Sequence, residues 1–303
     1  VNVEKISWGD WSNCYRLSAH ADEMIVTADV GPRIMAYNRV GGVNILFNFP
    51  HDLGKVGGDD FRFYGGHRFW HAPEHPQRTY QPDNAPVDVA IAADSITFTS
   101  MIERATGIQK TVHIHHNGNE WVIEHRLTNH NLWAITCAAW ALTMMAPGGV
   151  AVLPLPPRAS HDEVLIPTGQ LALWAYTDLS DPRWQFGHEF ILLRQDPTRT
   201  TPQKIGALLP SGWLAYLRDG TLFHKRFDTD VSAMHPDYNS NVELFTDGHF
   251  LELETLSPSQ TLQPGASIVH REYWSLQEGV LPALTPADVA QNILPRTQNL
   301  LEE

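Results

Sequence analysis

Short β-rich runs, each followed by a turn signal, recur along almost the whole chain and leave little room for anything but sheet. Residues 24–27 and 34–37 flank the Gly31 and Pro32 turn, and 44–47 follows Gly41 and Gly42. The runs at 87–91, 95–99 and 121–127 alternate apolar and polar residues, and further runs stand at 189–193, 213–217, 221–225, 242–245, 250–256 and 268–274. β-Branched and aromatic residues suit a pleated surface, and strands spaced this closely predict a sandwich or barrel. Residues 150–157 are apolar but Pro-rich, which predicts an edge strand and loop. Residues 178–204 read as connections around the 189–193 strand. Only the tail, about 285–303, reads as helix, with Thr285 as N-cap and Pro286 at the first helical position. No linker, low-complexity tract or solenoid-length repeat divides the chain. Residues 1–303 are therefore expected to form one large all-β domain.

Charge narrows the partners. The 303 residues carry a net charge of −13 with histidine neutral, which repels phosphate backbones, so no nucleic acid is expected. No apolar run reaches the length of a membrane span, and no basic–apolar–small leader follows Val1. No membrane partner is expected, and a cytoplasmic location is preferred. Cys14 and Cys137 are too few for a disulfide framework and match no zinc spacing. They are expected as reduced, partly buried thiols in a reducing compartment.

Two stretches carry candidate chemistry. Residues 65–74 hold Gly65, Gly66, His67, Arg68, Phe69, Trp70, His71, Ala72, Pro73 and Glu74. Ionisable heads beside large aromatics suit the wall of a polar cleft, and the paired glycines allow close backbone approach. The plainer reading is an aromatic corner with one histidine paired to Glu74. In 250–256, strand alternation puts Glu252 and Glu254 on one face and Leu251 and Leu253 on the other. Adjacent carboxylates raise each other's pKa, which suits a general acid or base; a solvated outer face is the alternative. His113 and His115 share a strand face and could form a metal pair, although exposed strand histidines are the default and no metal is assigned. The 234–239 loop could close a site with its aromatic and amide groups, or be an ordinary turn. Lys225 could face the cleft or be a solvated strand end.

With these residues in view, the chain resembles the galactose mutarotase-like group, which includes the aldose 1-epimerases. The likeness is carried by 29–37, 65–74, 127–129, 140–142, 253–255 and 262–265, and runs to about Leu276. It implies a large antiparallel β-supersandwich with a sugar site on a concave face. It also implies a glutamate base on the anomeric hydroxyl and a histidine acid at the ring oxygen. Glu254 matches the base. The place where the family's histidine would stand holds Trp140, so the acid is expected from His67 or His71. Arg68, Trp70, Glu74, Trp140, Lys225, Glu243 and Glu252 are the expected sugar-binding side chains. A small-molecule sugar is the implied partner, and the chemistry implies no metal or organic cofactor. A non-catalytic sugar-binding module, or a glycoside hydrolase or lyase-like enzyme on the same scaffold, are the alternatives.

Overall fold

The computed structural model describes residues 1–282 and 285–297. In chain order its strands are β1 (Asn2–Trp8), β2 (Trp11–Ala19), β3 (Asp22–Thr27), β4 (Arg33–Arg39), β5 (His67–Ala72), β6 (Asp88–Ile91), β7 (Ser95–Thr99), β8 (Ile108–Asn117), β9 (Glu120–Asn129), β10 (Ile135–Met145) and β11 (Val150–Pro154). They continue as β12 (Leu171–Leu173), β13 (Trp184–Phe186), β14 (Phe190–Arg194), β15 (Gln203–Ala207), β16 (Trp213–Arg218), β17 (Thr221–Phe227), β18 (Val242–Thr246), β19 (Leu251–Leu256), β20 (Gln260–Leu262) and β21 (Ser267–Gln277). The all-β expectation holds: these strands form two large antiparallel sheets. One runs β1-β2-β3-β4-β5-β10-β19-β18-β15-β12, with β20 paired to β10; the other runs β13-β14-β11-β16-β17-β21-β9-β8-β7-β6.

The sheets face each other across a core that includes Tyr37, Phe98, Trp121, Phe223 and Trp274, all buried. A short helix, Pro286–Asn292, covers the outer face of the second sheet, where Val289 and Ile293 pack with Leu222 and Trp213. Thr285 caps it as expected, in a reciprocal box with Asp288. The part of the expected tail at 298–303 lies outside the described residues. Cys14 and Cys137 are both free and buried. Among the described residues, no helix is long and apolar enough to cross a membrane.

Three segments depart from the sequence reading. β11, expected as an edge strand, lies inside the second sheet between β14 and β16. Residues 67–72, read from the sequence as a cleft wall or an aromatic corner and not as a strand, form β5, a strand buried along its whole length. Its polar heads are tolerated there because most are paired: Arg68 with Glu252 and His67 with His125. The 178–204 stretch contributes β13 and the start of β15 as well as the predicted strand.

Candidate functional site

Strand parity builds the site. β5 and β19 lie on either side of β10, with Leu142 opposite both Arg68 and Glu254. β18 follows β19, with Glu243 opposite Glu254, and β15 follows β18. Successive side chains alternate between faces. Arg68 and Trp70, Trp140, Glu252 and Glu254, Glu243, and Lys204 therefore share the face turned away from the second sheet. Trp70, Trp140, Leu142 and Leu256 form an apolar cluster there, separate from the main core.

Lys204 is the hub of this face. Its Nζ lies 2.6 Å from Glu243 Oε2 and 3.0 Å from Glu254 Oε2. The ammonium also sits over the rings of Trp140 (5.1 Å) and Trp174 (4.8 Å). Burial pulls the lysine's pKa down, but the Glu243 and Glu254 carboxylates more than offset this and hold it well above the usual range. Trp140 Nε1 donates to the same Glu254 Oε2 at 2.8 Å. Glu254 Oε1 is left buried with no hydrogen-bond partner. Arg68 Nη2 grips Glu252 Oε1 at 2.8 Å, and its guanidinium lies 4.2 Å from the Trp70 ring centre. Burial pushes the Glu252 carboxyl up to about 7, against the pull of Arg68. Glu243 is also raised well above the carboxylate range, first by burial, with Glu254 and Asp237 adding to it. Two cations thus face three carboxyl groups on the floor, Lys204 between Glu243 and Glu254 and Arg68 on Glu252.

A rim surrounds this floor. Glu74, exposed just beyond β5, accepts from the Tyr80 hydroxyl, and Tyr80 packs edge-on against Trp70. Asp237 stands in the field of Glu243 and Lys204, and Tyr176 in that of Lys204, Glu254, Glu74 and Glu243. Beside them opens a cavity of about 360 Å³ lined by Ala172, Leu173, Trp174, Ala175, Asp237 and Tyr238.

Of the residues expected to act together, Glu254, Glu252, Glu243, Arg68, Trp70 and Trp140 share the floor, and Glu74 stands at its rim. His67, His71 and Lys225 do not join them. The physical reason is parity: His67 and His71 are the odd positions of β5 and point between the sheets. His67 Nε2 lies 2.7 Å from His125 Nε2, and its Nδ1 is 2.9 Å from Thr143 Oγ1. Lys225 reaches into the same layer from the second sheet, 2.7 Å from Glu272 and 2.8 Å from Thr143 Oγ1. Burial, with His125 and Lys225 adding, lowers His67 well below the usual histidine range; burial lowers His71 to about 4. The expectation of a histidine acid opposite Glu254 is therefore corrected, since neither ring shares a face with that carboxylate.

The ligand atoms of His67, His125 and Glu272 lie within 4.8 Å of one another. The two imidazoles are already at hydrogen-bond distance, and Glu272 is held by Lys225 and Trp274. This set fits a closed hydrogen-bonded network better than a metal shell. His113 and His115 lie ring to ring at 5.5 Å, with His113 Nδ1 bonded to Thr97. No third ligand joins them among the described residues.

Lys204, Trp174, Tyr176 and Asp237 escaped the sequence reading. Lys204 had a signal: Gln203 to Ala207 alternates with Lys204 and Gly206 on one side, but the neighbouring Pro, Asp and Thr residues made it look like a connection. Asp237 sat in the 234–239 loop singled out as a closing segment. Trp174 and Tyr176 lie beyond the very short β12 and had no pattern to mark them.

No protein-family model matches the sequence, and no curated protein matches it. Solved structures do match. The Slr1438 protein of Synechocystis sp. PCC 6803 is 11% identical with a TM-score of 0.57, over 88% of this chain and 96% of that one. A galactose mutarotase-like protein from Lactobacillus casei ATCC 334 is 9% identical with a TM-score of 0.53, over 88% of this chain and 100% of that one. A galactose mutarotase related enzyme from Lactobacillus acidophilus is 10% identical with a TM-score of 0.52, over 89% and 99%. At such identities the likeness establishes the fold: this chain has the galactose mutarotase-like fold.

Proposed function

We propose that the protein is a carbohydrate-active enzyme that interconverts the anomers of an aldose by acid–base catalysis on the floor described above. The observation that carries this reading is the asymmetry of Glu254. Its Oε2 is held by two donors, while its buried Oε1 has none. A buried acceptor left unpaired is costly, and a substrate hydroxyl relieves it. Oε1 takes the proton of the anomeric hydroxyl as the bond from the anomeric carbon to the ring oxygen breaks. Glu252, with a carboxyl pKa of about 7, is half-protonated near neutrality and gives its proton to that ring oxygen. Reclosure on the other face of the open-chain aldehyde returns both protons. Trp70 and Trp140 supply apolar faces, and Arg68 orients Glu252. Both cations of the floor are already committed, Arg68 to Glu252 and Lys204 to Glu243 and Glu254, so none is left to hold a phosphate, which favours a neutral sugar over a phosphorylated one.

A second reading, sugar binding without turnover, is favoured by the lack of a histidine on the floor among the described residues, since His67 and His71 lie on the other face of β5. Polarimetry on freshly dissolved α-glucose and α-galactose separates the two. Acceleration by the protein, with loss of about a hundredfold or more in Glu254→Gln, supports turnover. Sugar-dependent thermal stabilisation with the spontaneous rate unchanged supports binding alone. Neither effect with either sugar, across a panel of neutral aldoses, would sink both.

A further inference from the structure

The cavity beside the floor is built from groups that the acid–base chemistry does not use. Its inner wall is continuous with the floor. Trp174 lies against the Lys204 ammonium, and the Asp237 carboxyl stands in the field of Glu243. Its outer wall is apolar and open, with Leu173 half exposed and Tyr238 87% exposed. A tyrosine this exposed, at the mouth of a cavity next to a buried polar floor, contributes nothing to the core.

The backbone that carries it is unusual. Asp237, Tyr238 and Asn239 are consecutive non-glycine residues in the left-handed region, with φ of 49°, 56° and 64°. Each such residue is disfavoured, and three in a row persist only because the surroundings hold them. Gln170 Nε2 donates to the carbonyls of Tyr238 and Asn239. Asn239 Oδ1 accepts from the His235 backbone at 2.8 Å, and Ser240 donates to Pro236 O and, through Oγ, to Asp237 O. The turn lets adjacent residues face opposite ways: Asp237 reaches in to Glu243 while Tyr238 stands out at the mouth. Strain of this kind concentrates where a side chain must be aimed.

We infer that this cavity is a second saccharide subsite, in which a sugar ring packs against Trp174 and Tyr238 and offers hydroxyls to Asp237. Aromatic faces match the apolar face of a pyranose, and a carboxylate matches its hydroxyls. The volume of about 360 Å³ suits a small ligand and not a long chain. The inference rests on the anomer-interconverting reading, and chemistry then fixes the substrate class. That reaction needs a free anomeric hydroxyl, so the ring on the floor is a reducing end. The ring in the cavity must be joined to it through one of its other oxygens. The substrate class is therefore reducing disaccharides and their short homologues, and disaccharides linked through both anomeric carbons are excluded.

The test compares kcat/KM for anomer interconversion of maltose, cellobiose and lactose with that of glucose and galactose, by polarimetry or by trapping the open-chain aldehyde. At least one reducing disaccharide is expected to exceed its own reducing-end monosaccharide by about tenfold, the worth of one well-made stacking contact. Tyr238→Ala, at an exposed position, is expected to reduce that ratio towards one, and Tyr238→Phe to keep it. Trehalose, linked through both anomeric carbons, is expected to compete weakly against the favoured disaccharide. Monosaccharides turned over with no disaccharide preferred, or a ratio untouched by Tyr238→Ala, would overturn the subsite alone. Failure of every sugar to react would overturn the underlying reading, and the subsite with it.

Discussion

At Glu252 the same burial that equips the carboxyl for proton transfer makes it a cost at higher pH. Its folded pKa of about 7 stands above the ordinary value of 4.5. Below about 4.5 the group is protonated in both states. Between 4.5 and 7 the folded protein holds a proton that the unfolded chain has released, so stability declines as pH rises through this window. The shift corresponds to about 3 kcal/mol at most. Glu252→Gln is expected to remove this part of the pH dependence in urea melts from pH 4.5 to 8. It should also abolish the fall in turnover expected as pH rises through about 7, because the acid form is then lost. A turnover profile that rises through pH 7 in the unmodified protein would exclude Glu252 as the acid. Lys204 shows the complementary situation: a buried cation held between Glu243 and Glu254, so that removing it leaves two buried carboxylates without their counter-ion.

At the level of elements, β5 sets the geometry of both faces, and its entry depends on Gly66. Gly66 sits at φ +70°, and a Cβ there would lie 2.2 Å from the Ile34 carbonyl oxygen. The glycine lets the chain leave the 51–64 loop pressed against β4 and enter β5 with Arg68 outward and His67 inward. Gly66→Ala is expected to destabilise by more than about 1 kcal/mol, through both the clash and the φ. Gly57→Ala has a similar φ of +67° but open space around the new methyl, and should cost less. Urea midpoints of the two variants check this, and equal midpoints would refute the steric argument. The importance of Gly65 and Gly66 was legible in the sequence, since paired glycines ahead of a polar aromatic run announce close approach. The strand they introduce was not, because His67, Arg68 and His71 look unburiable until Glu252 and His125 are known to wait on either side.

For the whole molecule, histidine dominates the response to acid. His67, His71, His125, His224 and His270 are buried, and burial lowers each below the ordinary value; His71 reaches about 4, and His125, His224 and His270 about 3. Each is neutral in the fold but takes up a proton on unfolding once pH drops below about 6.5. Stability they contribute is complete above that value and is lost as pH falls towards their folded pKa values. Glu243, Glu252, Asp22 and Asp237 act in the opposite sense, but the five buried imidazoles outweigh these four carboxyls. The thermal midpoint is therefore expected to fall steadily from pH 7 to pH 4.5. A flat or rising midpoint across that range would show that the buried imidazoles are not neutral in the folded state.

The sequence alone determined the architecture and half of the site. Alternation and turn chemistry are local, so strands, their faces and the pairing of Glu252 with Glu254 on one side could be read directly. The same alternation, applied to 67–72 once that stretch is known to be a strand, separates Arg68 and Trp70 from His67 and His71. What only the tertiary structure decided was which strands become neighbours. That order puts β5 across β10 from β19, brings Lys204 from a stretch read as connection into the centre of the carboxylates, and draws Lys225 into the layer between the sheets. Neighbour order in a sheet is fixed by contacts between residues far apart in the chain, and no local pattern encodes them.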